Sequence, residues 1–169
     1  VQVDRLQRVA PDAIVLWADA EAAAHLLVEL RAAGIEAPVY ACDRLMHEQF
    51  LQQAGAAAEG VVIASPWNPA ADNPRYRVFK EAYESRVGAV PTTYASHAYD
   101  GARMLIEAIR AVGLNRYRIR DALAAVDRYE GVTGTIIMDQ VQSDRGPVSL
   151  ATVRHGAFVF GEPAMGGSF

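Results

Sequence analysis

Apolar positions in the first sixty-odd residues fall into short continuous runs separated by stretches with helical spacing. Residues 13–17 (Ala-Ile-Val-Leu-Trp) are an unbroken apolar run of strand length, the pattern of a parallel strand buried on both faces. Asp19 then stands as an N-cap before a helix over 20–33, in which Ala23, Leu26, Leu27 and Leu30 share one face and Gly34 is the stop. Residues 39–41 form the next strand, a helix follows near 45–54, and 61–64 form a third strand. Strands and helices alternating through short connections predict an α/β domain with a parallel sheet and right-handed crossovers. Ahead of them, Leu6, Val9 and Ala10 read as the tail of a helix broken by Pro11-Asp12.

The pattern changes at residues 65–74 (SPWNPAADNP), where three prolines and two asparagines mark a loop or linker. Residues 75–126 are then almost wholly helical. Tyr76, Phe79 and Tyr83 share a face of the first helix. Ala98, Ala102, Leu105, Ile106 and Ile109 share a face of the second, and Ile119, Leu123 and Val126 one of the third. Short strands follow over 135–138, 148–154 and 157–160, with a turn at Asp144-Arg145-Gly146-Pro147.

Composition narrows the function classes. With 51% apolar and 21% charged residues, the 169-residue chain is ordinary for a globular domain with a real core. No apolar run approaches the roughly 20 residues that span a bilayer. The net charge of −4, with acids and bases mixed, gives no basic tract for nucleic acid. The densest basic stretch, Arg116, Arg118 and Arg120, is followed at once by Asp121 and reads as a solvated helix start. One cysteine, Cys42, excludes an internal disulfide, and no neighbour in sequence would activate its thiol.

Enzyme signatures are missing as well. There is no G-x-S-x-G elbow, P-loop or G-x-G-x-x-G, and His47-Glu48 lacks the second histidine of a zinc helix. Ser96 and His97 are adjacent on a helix, about 100° apart, so they cannot face each other as a catalytic pair. A non-enzymatic protein without metal or cofactor is expected. In an open α/β sheet ligands bind at the carboxyl ends of the strands. Here those positions are Trp17-Ala18-Asp19, Ala41-Cys42-Asp43 and Ala64-Ser65-Pro66-Trp67.

Two blocks carry a family resemblance. Residues 94–109 (YASHAYDGARMLIEAI) hold a Tyr99-Asp100-Gly101-Ala102 step, and 118–138 (RIRDALAAVDRYEGVTGTIIM) hold a Gly131-x-x-Gly134 turn. Together with the run from Asp12, the Leu30–Ile35 helix end and the Ala54–Val62 approach to a strand, their order resembles the type I periplasmic binding proteins of branched-chain amino acid ABC transporters. The likeness runs over nearly the whole chain, against about the second half of a family member.

The resemblance implies a parallel-sheet βαβ lobe plus a helical segment from the partner lobe. Residues 1–64 and 141–169 would then belong to the second lobe, and 65–140 would hold the hinge crossing and first-lobe helices. It implies an amino acid, apolar or branched-chain, bound between two lobes, a membrane permease as partner, and a periplasmic or extracellular location, with lipid anchoring through residues outside this chain. Asp43 matches the acidic residue that grips the ligand's ammonium group in amino-acid-binding members; alternatively it only caps a helix beginning at Arg44. Trp17 or Asp19 falls at the family's aromatic or polar wall, with Ala18 and Cys42 beside them. Trp17 is otherwise a core residue, and Asp19 otherwise a cap. Trp67 lines the cleft mouth or braces the hinge. The same fold also serves ligand-sensing receptors and binders of aromatic carboxylates, and for the latter Asp43 would be a cap alone. The family's carboxylate-binding hydroxyls lie upstream of the matched region. So do the strands that the helices of 75–126 would cover, and their apolar faces predict self-association or a domain swap.

Overall fold

The order of the crossovers decides the layout of the first unit. In the computed structural model, which describes residues 2–141 and 143–161, strands β1 (Ile14–Leu16), β2 (Val39–Cys42) and β3 (Val62–Ser65) are parallel neighbours. Helix α2 (Ala20–Ala32) connects the first pair, and α3 (Glu48–Ala54) lies between β2 and β3. Two successive crossovers of one hand, stepping the same way along a sheet, deliver both helices to the same face. Strands β6 (Ser149–Arg154) and β7 (Ala157–Phe160) extend the sheet antiparallel, in the order β1-β2-β3-β6-β7. This unit runs to Pro66 and resumes at Val148.

Register explains the core. Leu16, Ala41, Ile63 and Ala151 occupy one row across four strands and are all buried. Leu27 and Leu30 of α2 and Phe50 of α3 are fully buried in the same cluster. Helix α1 (Gln2–Val9) sets Val3 and Leu6 against it, and Gln7 donates to the carbonyl of Ala33 at the end of α2 (2.8 Å).

The alternate row is Val15, Tyr40, Val62, Thr152 and Val159. Val15 is 76% exposed, Tyr40 47% and Val159 45%. The apolar run at 13–17 predicts a strand covered on both faces; among the described residues the sheet carries helices on one face. The reason is topological, since both crossover helices lie on the same side.

The second unit, Trp67–Pro147, is helical with one small hairpin. Helices α4 (Pro74–Val87), α5 (Thr93–Val112) and α6 (Arg116–Ala124) begin at caps Asn73, Thr92 and Asn115, each accepting from first-turn amides. Strands β4 (Arg128–Glu130) and β5 (Thr135–Ile137) pair antiparallel around Gly131–Gly134. The sequence pattern shows β5 but not β4, whose Arg-Tyr-Glu has no apolar alternation. Asn73 holds the hairpin turn to α4: its amide donates to the carbonyls of Gly131 (3.2 Å) and Val132 (3.0 Å). Tyr76 and Phe79 are buried with Trp67 and Val132, as the spacing of α4 predicts.

Helix α5 differs from its pattern. Its buried residues are Ser96, Asp100 and Ala108, while Ala98, Ala102, Leu105 and Ile106 are exposed. Packing follows a polar stripe because Asp100 is needed by the hairpin. Its carboxylate accepts from Val132 N (2.8 Å), Thr133 N (2.9 Å) and Thr133 Oγ1 (2.7 Å). Gly131 makes room for it, since a Cβ there would stand inside contact distance of the Asp100 carboxyl. Gly134, at φ 110°, supplies the positive dihedral of the turn.

At the hairpin's outer edge Glu130 accepts from Arg128 Nε (2.8 Å) and Thr135 Oγ1 (2.9 Å). The Thr135 hydroxyl first, then Arg128, holds its carboxyl below the ordinary glutamate value. A lowered folded-state pKa contributes stability that is complete above the unfolded value and is lost as pH falls through the folded one. The protection of the hairpin amides, relative to the intrinsic exchange rate at each pH, is therefore expected to fall as the pH drops through the acid range. Glu130→Gln is expected to remove most of that acid dependence, and an unchanged acid profile in the variant would refute it.

Candidate functional site

Because β1, β2 and β3 are parallel and in register (Leu16 beside Ala41, Ala41 beside Ile63), the residues that follow them emerge side by side at one edge. This is where an open α/β sheet offers a binding surface. The edge carries Trp17, Ala18 and Asp19 after β1, Cys42 and Asp43 at the end of β2, and Ser65 at the end of β3.

Asp43 opens a single 3-10 turn, Asp43–Leu45, which the buried Leu45 anchors to the core. The carboxylate is half-buried, and among the described residues it accepts no hydrogen bond and joins no ion pair. The alternative role as a helix cap is corrected here. The cap position of the turn is Cys42, without a side-chain bond, and α3 is capped by His47, whose Nδ1 accepts from Gln49 N (3.1 Å). A 3-10 turn interposed before α3 moves the helix start away from Asp43. The result is a half-buried aspartate whose side chain has no hydrogen-bond or ion-pair partner among the described residues, at the edge where an open α/β sheet offers a binding surface.

Its neighbours are committed differently. Asp19 caps α2, accepting from Ala22 N (2.9 Å), and is exposed. Trp17 is 75% exposed, continuing the alternation of β1 on the side of Val15, so its ring is not a core ring within this chain. Ala18 is half-buried against the core, and Cys42 is a buried free thiol. Trp67 belongs to the helical unit. It is 5% exposed, edge-on to Tyr76 (5.0 Å between centroids) and His97 (6.1 Å), which makes it a packing residue of that unit. The edge thus brings Trp17, Ala18, Asp19, Cys42 and Asp43 together, while Trp67 stands in another core.

The sequence pattern misses Asp100 as an organising residue; the signal was present as an acid on the helix side opposite the apolar stripe. The helical unit also holds an open groove of about 910 Å³ that includes Phe79, Tyr83, Tyr99, Arg103 and Tyr129 and none of the predicted site residues. Burial first, then Glu107, raises the Tyr129 phenol above its ordinary value, with Arg103 opposing. Among the described residues no group of three or more His, Cys, Asp or Glu side chains is placed to hold a metal ion. No described helix is long and apolar enough to cross a membrane.

A family model described as periplasmic binding protein matches residues 1–154. The chain belongs to the periplasmic binding protein family. No curated protein matches it. Among solved structures, a leucine-binding protein LivK from Thermotoga maritima is similar, with a TM-score of 0.85 and 25% identity over 95% of this chain and 46% of that one. A putative branched-chain amino acid ABC transporter protein from Rhodospirillum rubrum is 38% identical over 94% of this chain and 47% of its own, with a TM-score of 0.77. A solute-binding protein from R. palustris in complex with benzoate has a TM-score of 0.80 at 18% identity, over 94% and 44% of the two chains, and shows the shared fold alone. The chain spans about half the length of these relatives. Its mixed α/β architecture is that of the type I periplasmic binding proteins.

Proposed function

We propose that this chain is part of a solute-binding protein that captures an amino acid, apolar or branched-chain, for delivery to an ABC permease from the periplasm or cell exterior. The observation that carries this reading is the Asp43 carboxylate, half-buried and without a partner among the described residues at the sheet's carboxyl edge. An ammonium group is its natural complement: a charge-assisted bond of this kind is worth about 1.5–3 kcal/mol. The exposed Trp17 ring supplies an apolar wall for the ligand side chain, and Ala18, Asp19 and Cys42 complete the edge. The similarity to a protein described as leucine-binding supports the amino-acid class. Binding is read as the whole activity, with the bound form selected by population shift and no bond made or broken.

The test is a titration followed by tryptophan fluorescence, with leucine, isoleucine and valine in one arm and benzoate in the other. A saturable change with the branched-chain amino acids, absent with benzoate, is the expected result. Saturation by benzoate alone would overturn the ammonium role of Asp43, because that ligand carries no cation. No response to either class would count against a ligand site on this chain.

A further inference from the structure

The segment that leaves β2 is held by overlapping hydrogen bonds. Met46 N donates to Asp43 O (2.9 Å), His47 N to Leu45 O (2.7 Å) and Phe50 N to His47 O (3.0 Å). A further bond runs from Gln49 N to Nδ1 of His47 (3.1 Å) and caps α3. Among the described residues, no other side chain of 43–49 bonds to backbone. A backbone N–H only donates, so Nδ1 carries a lone pair and the ring is neutral, with its proton on Nε2. Protonation would set N–H against N–H and end the bond. Histidine is the side chain whose charge ordinarily changes near neutral pH. The cap is therefore the bond of this segment that mild acid can break.

No carboxylate is paired with the ring to offset the new charge. His47 is half-buried and, among the described residues, joins no ion pair. Asp43, Arg44 and Glu48 flank it in sequence, and Glu48 accepts instead from Gln52 Nε2 (3.1 Å). Helix α2, which packs against α3, carries Glu21, His25, Glu29 and Arg31. Arg31 is turned to the carbonyls of Ile35 (2.6 Å) and Ala37 (3.2 Å). Strand β3 and the 3-10 turn Gly55–Ala58, which also pack here, carry no charged side chain. The consequence falls on Asp43. Strand β2 ends at the buried Cys42, and Asp43 opens a turn whose exit bonds are those of Met46 and His47. Fixing His47 on α3 fixes the end of that turn.

We propose that neutral His47 is a positioning residue for the candidate site, a latch that holds the Asp43 turn in place and releases it in mild acid. The inference rests on the reading of Asp43 as the ammonium contact. Acid lowers the fraction of the chain ready to bind, and apparent affinity falls with that fraction. His47→Asn offers an amide oxygen at the same place on the side chain and does not titrate there, so it keeps the cap at either pH.

The test compares about pH 7.5 with about pH 5.5, a window that spans ordinary histidine titration. In the ligand-free chain, the Gln49 amide resonance is expected to follow the titration of the His47 ring. Its exchange protection, relative to the intrinsic rate, is expected to fall in acid, and His47→Asn to abolish both changes. By calorimetry, leucine is expected to bind about three- to fivefold more weakly in acid, the size of one lost cap bond. In His47→Asn the affinities at the two pH values are expected to be equal, and in His47→Ala both are expected to be low. A Gln49 amide indifferent to the His47 titration would overturn the latch. Native affinity equal at both pH values, or an equal acid loss in His47→Asn, would overturn it too. Leucine binding at neither pH would instead refute the ligand reading, and the Gln49 amide would still decide the latch.

Discussion

Asp100→Ala is expected to destabilise the chain by about 3 kcal/mol, a fall of roughly 6–12 °C in Tm for a protein of this size. The carboxylate is 2% exposed and receives three hydrogen bonds from the hairpin turn, two of them from backbone amides. Alanine removes all three, stranding the buried amide of Val132 and leaving the half-buried amide of Thr133 without its acceptor. Stranded donors of this kind cost about 1–3 kcal/mol each, and relaxation of the turn recovers part of that. Thr133→Val removes only the hydroxyl bond and is expected to cost about 1 kcal/mol. Gly131→Ala is expected to approach the full loss, because its Cβ collides with the same carboxyl. Thermal unfolding followed by circular dichroism checks the ranking, and a mild Asp100→Ala would show that the turn holds without its acceptor.

Asp43→Ala carries the opposite signature. Affinity for a branched-chain amino acid is expected to fall about 10- to 150-fold, the equivalent of a lost charge-assisted bond. Stability is expected to stay within about 0.5 kcal/mol, since the carboxylate bonds to nothing in the described fold. Isothermal titration with leucine, beside a thermal melt, reads both quantities. Unchanged affinity would remove Asp43 from the site, and a large stability loss would assign it a structural role that its geometry does not show. Asp19→Ala is the contrasting case: it loses the bond to Ala22 N, so about 1 kcal/mol of stability should go with it.

The elements of the sheet unit were legible because their signals are local. The apolar run before Trp17, the cap at Asp19 and the stop at Gly34 each act within a few residues, and β1 and α2 lie where these place them. The helices of the second unit were legible from the helical spacing of their apolar positions, and the structure adds their caps, Asn73, Thr92 and Asn115. Strand β4 was not, because Arg128-Tyr129-Glu130 is extended only by pairing with β5. The helix start after β2 was placed too early: Asp43 resembles a cap in sequence, but Leu45 reaches the core by a 3-10 turn and His47 does the capping. The candidate edge itself followed from the rule that ligands gather at strand carboxyl ends, which needs only the order of strands and helices.

By itself the sequence determined the α/β class, the helix face of α4, and the residues that leave the ends of β1 and β2. Periodicity, caps and turn chemistry are short-range and survive without knowledge of the partner surface. Only the tertiary structure decided where an element departs from its local pattern. Helix α5 turns its polar Ser96–Asp100 side inward because three donors of a turn some thirty residues away require an acceptor. Among the described residues Val15, Tyr40 and Val159 stay exposed on the side away from α2 and α3, because both crossovers step the same way. Among the described residues the Asp43 side chain has no partner, because α3 is capped by His47. Each outcome depends on groups brought together from distant positions, where a hydrogen-bond requirement or a crossover direction outweighs the local pattern.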